Sequence, residues 1–217
     1  MRTIFISGAD KGLGRALGEI FLTAGDFVIG TSITGSSTYS HENLVMLPLD
    51  LCSPESIDNC IREVQNLNRQ VNVLINNAGV LKDRNETRVA LENLRVTLEV
   101  NLFGHVQITE SLLPLVSHGG HIINISSSAG SLENTSQASY PSYKISKAAL
   151  NMYTRTLAIR LSGQITVSAV HPGWIKTDMG GNDADITPQE AAQDIFKLAT
   201  SEVESGQFWF GGKKFPW

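Results

Sequence analysis

The segment YPSYKISK, which begins at Tyr140, contains two overlapping Tyr–x–x–x–Lys pairs, Tyr140/Lys144 and Tyr143/Lys147. A tyrosine and a lysine four positions apart lie on one face of a helix. A free phenol has a pKa near ~10, and a neighbouring cation lowers that value, so either pair could serve as an acid–base group. Pro141 suits the first turn of a helix, which places Tyr140 at the helix entrance and Tyr143 inside the helix.

The first apolar segment, TIFIS, leads directly into a turn rich in glycine, GADKGLG. Such a turn between a strand and a helix lets the backbone approach a pyrophosphate closely, and the free N–H groups of the helix bind the anion. The spacing is G-x-x-x-G-x-G rather than G-x-G-x-x-G, and a turn of this kind could also be a plain loop. We interpret it as a nucleotide-phosphate site formed by Gly8, Asp10, Lys11, Gly12, Leu13 and Gly14.

The end of the second apolar segment bears on which nucleotide is bound. Rossmann proteins that prefer NAD usually carry an acid there, which binds the ribose hydroxyls. This chain has Thr31, Ser32 and Ile33 at that place, and Asp26 comes before the segment. Lys11 could bind a 2′-phosphate, or it could be a solvated loop lysine. Both observations favour NADP over NAD, and we count Ser32 among the cofactor contacts.

The elements that must position these residues alternate between strand and helix patterns. The apolar runs are TIFIS, FVIGT, LVMLPL, VNVLIN, HIINIS, QITVSAV and QFWFGG, and helical patterns fall at about 12–25, 53–68, 88–116, 142–162 and 188–201. Ser53 and Thr187 each precede a proline and predict helix N-caps. The segment SITGSSTYSHEN predicts a loop where a crossover helix is expected. The alternation indicates a single domain over residues 1–217, a Rossmann-type doubly wound parallel α/β sheet of about seven strands flanked by helices.

Composition narrows the function classes. The chain of 217 residues carries 17 basic and 21 acidic side chains, a formal charge of −4, so no basic field points to nucleic acid. Its two cysteines, Cys52 and Cys60, lie eight apart, which suits neither a metal site nor a disulfide framework. The N-terminal apolar run is too short for a membrane span or a signal. We therefore expect a cytoplasmic protein that contacts neither membrane nor nucleic acid and holds no metal.

Polar motifs recur where later strands end. They are Asn76–Asn77–Ala78–Gly79, Ser126–Ser127–Ser128, and His171–Pro172–Gly173 followed by Thr177–Asp178. Together with GADKGLG and YKISK, in this order, they make the chain resemble the short-chain dehydrogenase/reductase family over essentially its whole length. The segments HPGWIKTDMGG and FPW resemble the small carbonyl-reductase-like and C-factor-like members.

The resemblance chooses between the two tyrosine–lysine pairs. The family pattern has a small residue directly before the lysine, and Ser146 fits that place before Lys147. Tyr143 occupies the same place before Lys144, so the pair that begins at Tyr140 does not fit. The resemblance thus implies that Tyr143 donates the proton and that Lys147 supplies the cation and binds the nicotinamide ribose. Tyr140 then lines the substrate pocket or is a packing residue.

Two further catalytic residues follow from the resemblance. Alignment with the family's fifth strand places the hydroxyl that holds a carbonyl oxygen at Ser127, with Ser128 as the alternative. Asn101 lies on an apolar stripe of the segment 88–116, where a buried amide costs about 1–3 kcal/mol unless it is hydrogen-bonded. It is either a satisfied structural residue or, as VNLFG implies, the residue that holds a water between Lys147 and solvent. We favour the second interpretation, and we interpret His105 on the same stripe as a packed histidine.

The resemblance also implies the remaining contacts. The cofactor would meet Asp50, Leu51, Asn77, Ala78, Gly79, Tyr143, Lys147, Pro172, Gly173, Ile175 and Thr177. The substrate would meet Ser128, Tyr140 and Trp174. Only GGNDADI separates Met179 from the cap at Thr187, so we expect a shallow, open pocket with loose selectivity.

These observations predict an NADP-dependent oxidoreductase that reduces a small carbonyl compound to an alcohol, or catalyses the reverse. The alternative is a protein of the same fold that senses nicotinamide nucleotide and signals through a partner. The segments 88–116 and 142–162 are apolar on more than one face, which could serve packing inside the domain or a two-fold interface. We predict a homodimer or homotetramer.

Overall fold

The structure is a computed structural model that describes residues 1–217. The chain runs through β1 (Thr3–Ile6), α1 (Gly12–Thr23), β2 (Phe27–Ser32), β3 (Leu44–Pro48), α2 (Pro54–Asn66), β4 (Val71–Asn76), α3 (Leu91–Leu98), a π-helical turn (Glu99–Phe103), α4 (Gly104–Leu112), a 3₁₀ turn (Leu113–Leu115), β5 (Val116–Ile125), a second 3₁₀ turn (Ser128–Gly130), α5 (Pro141–Arg160), β6 (Thr166–Val170), α6 (Pro188–Ala199), β7 (Gln207–Phe210) and β8 (Lys213–Lys214).

One sheet of eight strands forms the centre, in the order β3-β2-β1-β4-β5-β6-β7-β8. The first seven strands are parallel, and only β8 is antiparallel to its neighbour β7. The predicted doubly wound sheet is confirmed, and the additional strand is a pair of residues that turns back on β7. Strand order reverses between β1 and β4, and in open α/β sheets the crevice at the carboxyl ends of such strands is where ligands bind.

Helices cover both faces of the sheet. In β1, Ile4 and Ile6 pack on one face with α1 and α6, and Phe5 packs on the other face with α2, α4 and α5. Because successive strand residues point to opposite faces, a strand buried on both sides is apolar at every position. This is why the short strands are continuous apolar runs.

Local signals in the sequence account for several helix starts. The Ser53 side chain accepts a hydrogen bond from the Ser56 N–H (3.2 Å), and Thr187 forms a reciprocal capping box with Glu190. Both predicted caps are confirmed. The segment between β2 and β3 forms no helix, as predicted.

The segment 88–116 is not the continuous helix that the sequence predicted. It is divided into α3, the π-helical turn and α4, which ends at Leu112 two residues before Pro114, a residue without an N–H to continue the α-helix. Strand β5 then begins at Val116, five residues before the predicted strand. The π-helical turn contains Asn101, and such turns are frequent at functional sites.

A chain of buried amides connects the sheet to the two helices that carry the site. Asn76 Nδ2 donates to Thr109 Oγ1 of α4 (2.8 Å) and to Asn124 Oδ1 of β5 (2.7 Å), and Asn124 Nδ2 donates to Thr154 Oγ1 of α5 (2.9 Å). All four side chains are fully buried. Because an unpaired buried amide costs about 1–3 kcal/mol, this network specifies how α4 and α5 sit on the sheet.

No helix of the structure combines the length and the apolar character needed to cross a membrane.

Candidate active site

The glycine turn between β1 and α1 exposes its own backbone to the crevice, because its glycines have no side chains to cover it. Gly8 and Gly12 have φ values of +67° and +53°, which side chains rarely adopt. A Cβ atom at Gly14 would lie 1.8 Å from the Gly8 carbonyl oxygen. Lys11 is the N-cap of α1 without a side-chain cap, and the first turn of α1 contains no acid. The N–H groups of this helix end are therefore free for an anion, and the turn fits a nucleotide diphosphate.

The far end of the turn lies beside the loop that follows β2. Ser32, the last residue of β2, is buried and exchanges hydrogen bonds with Ser36. The strand therefore ends in a serine and not in an acid. Arg15 donates to Thr38 Oγ1 (2.9 Å), and its guanidinium lies 5.3 Å from the ring centre of Tyr39. The sequence analysis did not name Arg15 or Tyr39. The basic residue in the first turn of α1, directly after the glycines, was a signal that could have identified Arg15.

Asp50 and Leu51, which follow β3 after Leu49, are placed differently from one another. Asp50 is half-buried, and its Oδ1 accepts a hydrogen bond from the Cys52 N–H (2.9 Å). Leu51 is buried against Gly104, where an added Cβ would come within 2.7 Å of it. Only Asp50 therefore offers a polar side chain at this edge of the crevice.

Ser7, at the end of β1, organises the floor of the crevice. Its Oγ accepts hydrogen bonds from the N–H groups of Asn77 (2.9 Å) and Ala78 (3.0 Å). Asn77 Nδ2 in turn donates to the Ser7 and Gly8 carbonyl oxygens (2.9 Å each). The predicted contact residues after β4 are thus held against the glycine turn. Sequence analysis missed Ser7, whose only signal was a hydroxyl in an apolar strand.

Asn101 is fully buried, and its amide is fully engaged with protein groups. Oδ1 accepts from the Val80 N–H (2.8 Å), and Nδ2 donates to the Val80 carbonyl oxygen and to Ser146 Oγ (3.0 Å each). The side chain therefore pins the segment after β4 to α5, one residue before Lys147. A Cβ at Gly79 would lie 3.3 Å from Asn101 Oδ1 and 3.9 Å from Lys147 Nζ, so these three residues enclose one small space. The water-holding role of Asn101 stays a prediction.

The three serines after β5 have different surroundings. Ser126 is buried and donates to Asn151 Oδ1 (2.6 Å), so it serves packing in the interior. Ser127 caps the following 3₁₀ turn, with its Oγ accepting from the Ala129 N–H (3.1 Å), and its hydroxyl lies near enough to the Tyr143 phenol to lower the pKa of that phenol. Ser128 lies within the turn and is half-buried.

Tyr143 and Lys147 lie one turn apart on α5. Lys147 Nζ is 5.6 Å from the Tyr143 ring centre and donates to the Ile125 carbonyl oxygen (2.7 Å). Burial raises the pKa of Tyr143 to about 12, an effect that the hydrogen bond with Ser127 only partly offsets. Burial also lowers the pKa of Lys147 to about 8. The sequence predicted a phenol made more acidic by Lys147, whereas in the protein alone desolvation dominates and the phenol stays protonated.

Tyr140 stands at the entrance of α5, as predicted. Its backbone is left-handed (φ 45°, ψ 54°), a conformation that costs a bulky residue on the order of 1–3 kcal/mol. Its N–H donates to the Glu86 carbonyl oxygen (2.9 Å), and its ring lies 6.3 Å from the Tyr143 ring, edge to face. Strain of this kind concentrates at functional positions, and the Tyr140 ring lies beside that of Tyr143.

The segment after β4 braces the mouth of the site through residues that the sequence analysis did not single out. Asp83 is buried, and its Oδ2 accepts from the Ser142 N–H in the first turn of α5 (2.6 Å). Arg84 reaches across to the Met179 carbonyl oxygen. These contacts connect the entrance of α5 with the loop that follows β6.

That loop carries the predicted nicotinamide contacts. Pro172 and Gly173 (φ +88°) turn the chain outward, and Ile175 pairs with Ile186 in a short parallel bridge. Thr177 lies against the glycine turn, where a Cβ at Gly12 would come within 3.2 Å of its methyl group. Trp174 is half exposed and donates from Nε1 to the Gly180 carbonyl oxygen (2.9 Å).

His105 is fully buried beneath the floor of the site. Its Nε2 lies 3.4 Å from Ser7 Oγ, and burial lowers its pKa to about 3. The packed histidine predicted from the sequence is therefore a neutral imidazole that contacts Ser7. In the whole chain, no three His, Cys, Asp or Glu side chains come together in an arrangement that could hold a metal ion.

The family model described as short chain dehydrogenase matches residues 2–188 of the chain. The chain belongs to the short-chain dehydrogenase/reductase family. This finding confirms the resemblance read from GADKGLG, YKISK and the strand-end motifs.

Individual members of the short-chain dehydrogenase/reductase family resemble the chain in sequence and in structure. The 3-oxoacyl-[acyl-carrier-protein] reductase FabG of Aquifex aeolicus is 33% identical over 186 residues, which cover 80% of this chain and 74% of that relative. The C-signal protein of Myxococcus xanthus is 33% identical over 160 residues, 68% of this chain and 93% of that relative. The NADPH-bound carbonyl reductase from chicken fatty liver superposes with a TM-score of 0.90 at 30% identity, covering 100% of this chain and 99% of the other.

The arrangement can support transfer of a hydride coupled to transfer of a proton. A protonated phenol, a hydroxyl beside it and a buried ammonium meet at one end of the crevice, and the glycine turn lies at the other end. Gly8, Gly12 and the N-terminus of α1 could hold the diphosphate of a nicotinamide dinucleotide, the kind of cofactor that this family uses.

Proposed function

We propose that this short-chain dehydrogenase/reductase is an NADP-dependent carbonyl reductase. It reduces an aldehyde or ketone to an alcohol, or catalyses the reverse, with the hydride from the nicotinamide and the proton from Tyr143. The observation that carries the proposal is the position of the Tyr143 phenol one helical turn from the buried Lys147, whose Nζ lies 5.6 Å from the Tyr143 ring centre.

Each residue has one role in the reduction. The nicotinamide cofactor, when bound, supplies the hydride that forms the new C–H bond at the carbonyl carbon. Ser127 binds the carbonyl oxygen and orients it toward Tyr143. The phenol, whose pKa burial raises to about 12, is protonated at neutral pH and gives its proton to the oxygen as negative charge develops there. The ammonium of Lys147 stabilises the phenolate that remains, and Asn101 holds the neighbouring segments in register.

Several observations favour NADPH as the cofactor and small carbonyl compounds as substrates. No acid stands at the end of β2 to hold the ribose hydroxyls, and Lys11 lies in the glycine turn where it can meet a 2′-phosphate. The carbonyl reductase that superposes at a TM-score of 0.90 has NADPH bound. Only GGNDADI separates Met179 from the cap at Thr187, so we expect a pocket that is open to varied substrates. A reducing cytoplasmic setting suits the two free thiols, Cys52 and Cys60.

The relatives favour two narrower candidates. The likeness to 3-oxoacyl-[acyl-carrier-protein] reductase directs attention to 3-oxoacyl thioesters, which are reduced by the same hydride and proton transfer. The likeness to C-signal favours a second candidate function, in which the protein binds nicotinamide nucleotide and signals through a partner, with catalysis incidental.

One assay separates these candidates. Purified protein is given NADPH or NADH together with a panel of small aldehydes, ketones, quinones and a 3-oxoacyl thioester such as acetoacetyl-CoA, and cofactor oxidation is followed. Turnover of simple carbonyls with NADPH supports the proposal, and turnover confined to the thioester supports the acyl reductase. Tight binding of NADPH without turnover of any substrate would contradict both and favour the sensor. Tyr143→Phe serves as the control for background oxidation.

A further inference from the structure

Two segments that flank the cofactor crevice are joined by an ion pair. Lys11 Nζ, in the glycine turn, lies 2.8 Å from Asp178 Oδ2, in the loop after β6. Their side chains are 72% and 83% exposed, so the pair spans the outer edge of the crevice in contact with solvent. The close approach of Thr177 to Gly12 shows that the same two segments also touch below the pair.

The pair leaves the glycine turn without a free cation. Arg15, the next basic residue along the chain, is engaged with Glu19 (2.8 Å) and with Thr38. Lys11 is the only basic residue within GADKGLG, and its charge is matched in the structure by the Asp178 carboxylate, which an incoming phosphate must displace. Hydrogen bonding to Lys11 keeps the pKa of Asp178 below its usual range, so the carboxylate is charged at neutral pH.

We propose that Asp178 is a specificity-determining residue for the cofactor, because it competes with the 2′-phosphate of the nucleotide for Lys11. The inference rests on the proposed preference for NADPH. The carboxylate is an intramolecular counterion that the phosphate must displace before Lys11 can bind it. Asp178 therefore weakens binding of nucleotides that carry a 2′-phosphate and leaves those without it unchanged.

The strength of the ion pair sets the size of the effect. An exposed pair of this kind contributes little, because water and salt screen it. A phosphate monoester carries a charge of about −1.5 to −2 and three acceptor oxygens, so it can displace a single carboxylate. The competition should therefore reduce affinity by about two- to fivefold, which is the range of an exposed ion pair.

Asp178 could instead assist binding by holding Lys11 in position for the phosphate. The two roles predict opposite signs when the carboxylate is removed. Competition predicts tighter binding of the 2′-phosphate, and positioning predicts weaker binding. The sign of the change in affinity thus decides between them.

The test measures binding by calorimetry without any substrate. The probes are NADPH and NADH, and the fragments adenosine 2′,5′-bisphosphate and adenosine 5′-monophosphate. Asp178→Asn should lower the Kd of NADPH and of the bisphosphate about two- to fivefold and leave the other two unchanged. Asp183→Asn, which removes an equally exposed charge five residues away, is the matched control and should change no Kd. The gain should disappear at about 1 M salt, where the Debye length is ~3 Å.

The Lys11→Ala background completes the design. Asp178→Asn should have no effect there, because the shared cation is absent. Unchanged or weaker binding of NADPH by Asp178→Asn in the native background would overturn the inference, and so would an equal gain for NADH. If the native protein binds NADH as tightly as NADPH and Lys11→Ala changes neither, the proposed cofactor preference fails as well. Proposed carbonyl reduction is tested separately, by turnover.

Discussion

Lys147 Nζ donates a hydrogen bond of 2.7 Å to the carbonyl oxygen of Ile125, the last residue of β5. The same atom lies 5.6 Å from the ring centre of Tyr143. The ammonium is therefore anchored to the end of a core strand beside the phenol. Burial disfavours charge on both side chains, lowering the pKa of Lys147 to about 8 and raising that of Tyr143 to about 12. Keeping the Lys147 ammonium charged in the site at neutral pH therefore lowers the stability of the folded protein.

The lowered pKa of Lys147 predicts how this loss of folding stability changes with pH. The unfolded chain binds the proton more tightly than the folded protein between about 8 and the ordinary value of 10.5. The destabilising effect is therefore complete below pH 8 and fades as pH rises to 10.5. Relative to Lys147→Met, the native protein should gain stability across this window by up to about 1.4 kcal/mol per pH unit. Urea unfolding at pH 7.5, 9 and 10.5 measures the difference, and a difference that does not vary with pH would contradict the prediction.

Replacement of the phenol should separate catalysis from cofactor binding. Tyr143→Phe removes the proton donor and keeps the ring, so kcat should fall by about 10²–10⁴-fold. The Kd of NADPH should stay within about twofold, because the lost hydroxyl serves the substrate oxygen. Steady-state kinetics and fluorescence titration measure the two quantities.

Tyr140→Phe is the matched control for that variant. Its hydroxyl lies on the neighbouring ring, and most activity should remain. If Tyr140→Phe were inactive and Tyr143→Phe active, the assignment of the proton donor within YPSYKISK would be wrong.

Removal of the Lys11 charge should affect the two nucleotides unequally. Lys11→Ala should raise the Kd of NADPH about tenfold or more, since a charge-assisted contact contributes about 1.5–3 kcal/mol, and should leave the Kd of NADH nearly unchanged. Lys213→Ala removes an exposed lysine of β8 and serves as the control. Equal or tighter binding of NADH by the native protein would refute the preference for NADPH.

Two buried histidines and the half-buried His171 predict a loss of stability in mild acid. Burial lowers the pKa of His105 to about 3 and those of His121 and His171 to about 4. The unfolded chain binds protons at these residues near pH 6.5, whereas the folded protein does not, so stability is complete above 6.5 and falls below it. Each histidine contributes about 1.4 kcal/mol per pH unit between 6.5 and 4.

Denaturant unfolding at pH 7, 6 and 5 tests this slope. The free energy of unfolding should fall by about 4 kcal/mol per pH unit once all three histidines titrate in the unfolded chain. His121→Asn should reduce the slope by about a third. A free energy that is constant between pH 7 and 5 would show that the imidazoles are protonated in the fold.

Exposed apolar residues on one side of α5 support self-association of the chain. Ile145, Met152 and Ile159 recur every seven residues and are 42%, 65% and 73% exposed. Phe103, in the π-helical turn on the neighbouring segment, is 51% exposed. Other apolar residues of α5, such as Leu150 and Leu157, are buried inside the domain, so the surplus predicted from the sequence divides between core and surface.

We propose that this exposed stripe packs on a second copy of the chain, giving a dimer or tetramer. Light scattering at micromolar concentration should give at least twice the sequence mass of 23.6 kDa. Met152→Glu should reduce it to the monomer mass, whereas Ile33→Glu, at a 71% exposed apolar residue in the loop after β2, should not. A monomer mass for the native protein would contradict the proposal.

The class of fold was available from the sequence because its signals are local. Apolar runs of strand length, helix caps at Ser53 and Thr187 and the glycine turn each depend on a few neighbouring residues. Their order along the chain sufficed for the parallel sheet and for the family. The break in the segment 88–116 was not available, because the π-helical turn at Asn101 depends on contacts with Val80 and Ser146 from other elements.

What the sequence determined by itself was which residue types stand at the strand ends, and hence the chemistry the site can perform. Only the tertiary structure decided their partners and their charge states. Tyr143 has a raised pKa because desolvation, a property of the packed protein, outweighs the hydrogen bond with Ser127. Lys11 is paired with Asp178 across 167 positions of the chain, a contact that no local pattern encodes. Burial and long-range pairing arise only when the chain is packed, and they set the energies on which the function depends.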